Sequence, residues 1–67
     1  MSLQNINNKI YEALNQAEVA EVSLEEWIDD CENETEKEKA EAALELIRDA
    51  MELLTEATNI IEEVEEE

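Results

Sequence analysis

The sequence predicts an all-α protein: an antiparallel two-helix hairpin of coiled-coil type that dimerises into a four-helix bundle. The chain has no Gly and no Pro, and its only aromatic residues are one Trp and one Tyr, so it lacks the residues typical of turns and strands. Apolar residues recur at alternating steps of three and four in both halves, and the two series mirror each other about Asn33 and Glu34. We expect one hairpin domain over residues 1–67, with helices at about 4–32 and 35–65 and a turn at about 33–34.

The first predicted helix carries two apolar heptad rows. The rows are Leu3, Ile10, Ala17, Leu24 and Cys31, and Ile6, Ala13, Ala20 and Trp27. Ser23 and Glu26 form a capping box that could start a new helix. Because the heptad continues through this point without a phase shift, we predict one helix.

The turn is indicated by capping signals at the mirror point. Asn33 can adopt the left-handed conformation that ends a helix, while Thr35 and Glu38 form a capping box for the next one. Folding back here places large residues opposite small ones, and Trp27 faces Ala40. This pairing predicts that Trp27 fills the core.

The second predicted helix has a wider apolar face than a hairpin needs. Such a face is typical of a helix that contacts more than one neighbour in a bundle, and a chain of 67 residues buries little surface by itself. We therefore predict self-association, most simply a homodimer. The predicted oligomer interface consists of Leu44, Leu46, Met51, Leu53 and Ile60.

The charge limits the partners. With 21 acidic and four basic residues, the formal net charge is −17, which argues against direct binding to nucleic acid or to an anionic membrane. The chain has no apolar run of membrane-spanning length, and its lone Cys31 cannot form a disulfide framework. A soluble, intracellular and cytoplasmic protein is expected.

The sequence offers no recognisable catalytic chemistry. There is no His, and a two-helix hairpin provides no cleft that would shift the pKa values of paired carboxylates. The acidic stretch at residues 29–34 lacks the Gly and the ligand spacing of a calcium loop. We predict no enzyme activity, no catalytic residues, no cofactor and no metal site, and Cys31 is expected to be a small buried apolar residue.

Two kinds of function remain. The first is a non-enzymatic, acidic helical protein–protein interaction module that forms bundles for assembly or regulation. The alternative is a virus-type inhibitor that mimics nucleic acid and blocks a basic nucleic-acid-binding protein, or an acidic antitoxin-like partner of a basic protein. For a basic partner, the predicted contact is an acidic tip comprising Glu18, Glu25, Glu26, Asp29, Asp30, Glu32 and Glu34.

Overall fold

The computed structural model describes residues 2–65, which form two long helices, α1 (Leu3–Asp30) and α2 (Glu34–Glu65). Residues 31–33 connect them, and the ends of the predicted 1–67 domain lie outside the described residues. The helices pack side by side in a rod with extents of 52 × 15 × 14 Å. The predicted all-α hairpin is therefore confirmed.

Helix α1 is capped at its start and is continuous to its end. The Ser2 hydroxyl oxygen accepts a hydrogen bond from the Asn5 backbone N–H at 3.2 Å, which satisfies one of the free amides of the first turn. The helix passes through Ser23 without a break, so the capping box at that position does not start a helix. It ends at Asp30, where Cys31 takes up an extended conformation (φ −78°, ψ 126°).

Asn33 caps the start of α2 and does not end α1. Its side-chain oxygen accepts a hydrogen bond from the Glu36 backbone N–H at 3.1 Å, and no residue between 2 and 65 has a positive φ. The left-handed Asn33 and the capping box at Thr35 were therefore wrong. Because Asn is among the strongest N-cap residues, the helix starts earlier, and Glu34 and Glu36 lie in its first turn, where negative charge is favourable.

The interior of the hairpin is a narrow seam between the helices. Among the described residues, Ile28 and Leu44 are the only apolar side chains that are buried, at 8% and 7% exposure. The other seam positions are mostly half-buried and follow the same heptad spacing. In α1 they are Asn7, Ile10, Leu14, Ala17, Glu21, Leu24, Ile28 and Cys31; in α2 they are Lys37, Ala40, Leu44, Ile47, Met51, Leu54, Thr58 and Ile61.

One of the two predicted core rows in each helix does not lie in the seam. The row of Ile10 and Leu24 is inside as predicted, but Trp27 is 47% exposed, and Ala20 and Ala43 are exposed as well. Neighbouring heptad rows are about 50° apart around a helix, because seven residues make two turns. Both helices are therefore rotated by about 50° from the predicted orientation.

Side-chain size explains the rotation. The seam now contains Leu14, Ile28, Leu44 and Met51, where the predicted orientation would have placed mainly Ala residues. Larger apolar side chains remove more area from water, at about 25 cal/mol for each Å². Trp27 was therefore wrongly predicted as the residue that fills the core.

Candidate interaction surfaces

One side of the hairpin carries the polar bonds between the helices, and we call it the bonded side. The Tyr11 hydroxyl donates to Glu62 Oε1 at 2.7 Å. Arg48 donates from Nε to Glu21 Oε2 at 2.7 Å and from Nη2 to Glu25 Oε1 at 2.9 Å. These bonds show which flank of each helix faces this side, and they fix the antiparallel register.

The opposite side of the hairpin is apolar. In α1, the heptad row of Ala20 lies on one flank of the seam and the row of Tyr11 lies on the other. In α2, the rows of Ala50 and Arg48 are separated in the same way. The row of Leu53 is next to that of Ala50. We call this surface the alanine face; it comprises Ile6, Ala13, Ala20, Trp27, Ala43, Leu46, Ala50, Leu53, Ala57, Ile60 and Val64.

A groove at the hairpin tip shows independently that heptad rows from both helices lie on the apolar side of the hairpin. It is open, has a volume of about 520 Å³, and is lined by Trp27 from α1 and Glu36 from α2. Glu36 lies one heptad before Ala43, in the same row. The row of Trp27 and the row of Ala43 therefore belong to one surface.

Most of the alanine face is exposed, with Ala57 half-buried, and the charged residues Glu36 and Lys39 continue its α2 rows towards the tip. Leu46, Leu53 and Ile60 are 69%, 65% and 62% exposed, and none of the residues that define the face carries a charge. On monomeric soluble proteins, exposed apolar residues are usually scattered singly and seldom form a contiguous surface of this kind. The small side chains would allow a second layer of helices to approach closely.

The predicted oligomer interface is divided between the seam and this surface. Leu44 is buried inside the hairpin and Met51 is half-buried there, so neither is free for a second chain, whereas Leu46, Leu53 and Ile60 lie on the alanine face. The sequence did not lead us to predict that α1 contributes Ile6, Ala13, Ala20 and Trp27 to the alanine face. The signal for this contribution was present as the heptad of small and apolar residues that was assigned to the core.

The predicted acidic tip is largely exposed. Glu25 is half-buried and bonded to Arg48, while the remaining six residues are exposed, namely Glu18, Glu26, Asp29, Asp30, Glu32 and Glu34. The hydrogen bond that Arg48 donates to Glu21, followed by the one that it donates to Glu25, raises the pKa of Arg48 above its usual value. Glu26, Asp30 and Glu32 line the groove beside Trp27 together with Glu36, which sequence reasoning did not include.

A buried polar pair lies towards the open end of the hairpin. Asn7 and Thr58 are 2% and 1% exposed. The Thr58 hydroxyl donates to the Thr55 carbonyl at 2.7 Å, whereas Asn7 Oδ1 has no partner within the described part of the chain. These residues were missed because polar side chains at seam positions give no apolar signal.

Tyr11 covers this end on the bonded side. Its hydrogen bond to Glu62 raises the pKa of the Tyr11 hydroxyl, and the Thr58 side chain acts in the opposite direction with a smaller effect. The polar residues of both helices therefore meet around Asn7, Tyr11, Thr58 and Glu62.

Together, these features define a small helical hairpin with an apolar side and an acidic, bonded side. Within residues 2–65 there is no helix with the length and apolar character needed to cross a bilayer, and no three acidic or Cys side chains are grouped so that they could hold a metal ion. We found no family model, curated protein or solved structure that matches the chain.

Proposed function

We propose that this chain is a non-enzymatic protein–protein interaction module that dimerises, with its alanine face forming the interior of a four-helix bundle. The observation that carries the proposal is the exposure of this face on a molecule with so small a core. Only Ile28 and Leu44 are buried apolar residues in the described chain, and small domains with little core depend on disulfides, metals or oligomerisation for stability.

The face is long enough for the helices of a second copy to pack along it. From Ile6 to Trp27 it extends over 21 residue steps of α1, about 32 Å at 1.5 Å each, on a rod 52 Å long. The exposed Leu and Ile side chains of α2 supply large apolar groups, and the Ala residues leave space for them.

The charge distribution is compatible with self-association in spite of the net charge of −17. The residues that define the alanine face bring no carboxylate into an interface. Asp30 and Glu36 border the face only at the tip, and exposed acids such as Glu18 and Glu41 lie on the bonded side. Association through the alanine face leaves these acids in water, where salt screens their repulsion.

The proposal is tested by the same substitution on two faces of one helix. Ala50→Glu places a carboxylate on the alanine face, whereas Ala42→Glu places one on the outer surface of α2; both positions are exposed. We expect the unmodified chain and Ala42→Glu to sediment as dimers at micromolar concentration and Ala50→Glu to sediment as a monomer. An unmodified chain that remains monomeric at these concentrations would rule out the proposal.

A second candidate function is binding to a basic protein surface, either as a mimic of nucleic acid or as an antitoxin-like partner. It is favoured by the groove at the tip, where Glu26, Asp30, Glu32 and Glu36 surround Trp27. Carboxylates beside an aromatic ring attract cationic side chains. This function predicts competition with DNA or RNA for a basic protein, with an affinity that falls steeply as salt is added.

A further inference from the structure

The pattern of large and small residues on the alanine face points to one arrangement of the dimer. We infer that two copies pack with their tips at opposite ends, related by a two-fold axis that crosses the hairpin near Ala20, so that each Trp27 packs on the partner's Ala13. This inference rests on the proposed function, because it specifies how a second copy occupies the alanine face.

Helix α2 supports this arrangement through its own contacts. In a dimer with tips opposed, α2 lies antiparallel to the partner's α2, and residues at equal distances on either side of the axis face each other. With the axis between Met51 and Glu52, Ala50 faces the partner's Leu53. The same axis pairs Ala43 with the partner's Ile60 and Ala57 with the partner's Leu46. Each Ala is therefore opposite a large side chain, as close helix packing requires.

Helix α1 leads to the same conclusion from different residues. With the axis at residues 19–20, Ala20 faces its own copy and Ala13 faces the partner's Trp27. In the neighbouring row, Lys9 faces the partner's Asp30, so opposite charges meet at both ends of the α1 pair. Lys9 and Asp30 are both exposed in the single hairpin.

The register within the hairpin links these two results. A two-fold axis that crosses the hairpin must pass through α1 and α2 at the same level. Arg48 bonds to both Glu21 and Glu25, and so lies level with a point midway between them. In α2, the midpoint of Met51 and Glu52 is 3.5 residues beyond Arg48. Because the helices are antiparallel, the same level in α1 is 3.5 residues before the midpoint of Glu21 and Glu25, which is at residues 19–20. The Tyr11–Glu62 bond gives residues 21–22 in the same way, so the axis positions taken from the two helices agree to within about two residues.

Opposed tips keep the two groove clusters further apart than adjacent tips do. The groove acids Asp30, Glu32 and Glu36 lie at the tip of the rod. An axis along the rod would bring two such clusters side by side, whereas opposed tips separate them by about the rod length of 52 Å. Like charges held close together are destabilising.

The arrangement is tested by disulfide cross-linking in the full-length Cys31→Ser background, which removes the native thiol. With tips opposed, Ala20→Cys lies beside its own copy, whereas Ala13→Cys lies about 21 Å along the helix from its copy, a separation of 14 residues at 1.5 Å each. A disulfide requires Cα atoms within about 7 Å. In a glutathione buffer, we expect Ala20→Cys to form a covalent dimer and Ala13→Cys to remain uncross-linked. Both substitutions are at exposed positions, and helical circular dichroism verifies folding.

A charge exchange provides a second test. Lys9→Asp and Asp30→Lys should each weaken self-association several-fold, and an equal mixture of the two variants should recover it as a heterodimer. A non-covalent dimer in which Ala13→Cys cross-links as readily as Ala20→Cys, or a mixture that recovers nothing, would overturn the arrangement and leave the proposed dimer standing. A monomeric parent chain would instead refute the proposed function itself.

Discussion

Tyr11 and Glu62, which are 51 positions apart in the sequence, are joined by a hydrogen bond of 2.7 Å from the Tyr11 hydroxyl to Glu62 Oε1. The bond spans the two helices at the open end of the hairpin, where the buried seam residues Asn7 and Thr58 are polar. It also makes the stability of the hairpin depend on pH in the alkaline range, because only the protonated Tyr11 hydroxyl can donate the hydrogen bond.

The first prediction concerns this bond. The pKa of Tyr11 is raised above its usual value of 10.0, so the bond contributes its full stability below pH 10 and loses it as the pH rises through the higher pKa of the folded state. Tyr11→Phe should lower the melting temperature at neutral pH and reduce the decline above pH 10. Thermal melts across this range measure both effects, and equal slopes for the variant and the parent would contradict the prediction.

Arg48 provides the second prediction. Arg48→Gln removes the bonds to Glu21 and Glu25 and leaves two neighbouring carboxylates without a cation. The melting temperature should fall, more so at low salt. Lys39→Gln is the matched control, since it removes the same charge from an exposed position on the same helix. Similar losses from both variants would show that net charge, not the bridge, is responsible.

The third prediction compares the seam with the alanine face. Leu44 is 7% exposed and Leu53 is 65% exposed. Leu44→Ala should reduce the free energy of unfolding by about 2–5 kcal/mol, the range for a buried Leu, at all protein concentrations. Leu53→Ala should be destabilising only at concentrations where the chain dimerises. Urea titrations at two protein concentrations separate these effects.

The fourth prediction concerns Asn7, whose buried Oδ1 lacks a partner. Replacement by Leu, which is similar in size, should increase the free energy of unfolding by roughly 1–2 kcal/mol, because it removes an unsatisfied buried polar group. A buried Asn at a seam position often fixes register. Asn7→Leu should therefore also permit alternative pairings of the helices, detectable as additional amide signals in NMR spectra. A loss of stability would indicate that the Asn7 amide makes a favourable contact.

The fifth prediction follows from the net charge of −17. Raising the ionic strength from about 0.01 to about 1 M shortens the Debye length from ~30 to ~3 Å. Repulsion among the exposed acids should weaken, and the melting temperature and the dimer affinity should both increase. A melting temperature that is unaffected by salt would show that this repulsion does not limit stability.

The sequence was informative about the helices and the turn because these depend on local signals. Heptads without Gly or Pro specify helices, and the mirror relation about Asn33 and Glu34 requires the chain to reverse there. The capping details were less predictable. Asn33 offers either a helix end or a helix start, and only the observed bond to the Glu36 N–H distinguishes them.

The candidate surface could not be assigned from the sequence because each helix has adjacent apolar rows that could enter the seam. Leu46, Leu53 and Ile60 were identified as free because no partner row in the same chain could cover them. Ala20 and Trp27 were placed inside because their heptad mirrors that of α2. Their exposure depends on the rotation of both helices together.

By itself, the sequence determined that this chain is a two-helix hairpin with one fixed core row and a strongly acidic surface. The tertiary structure decided which second row completes the seam, and so placed Trp27 and Ala20 on the surface while Ile28 and Leu44 became buried. The physical reason is that a heptad pattern is compatible with more than one rotation of a helix. The choice depends on how much side-chain volume the two facing helices can bury together.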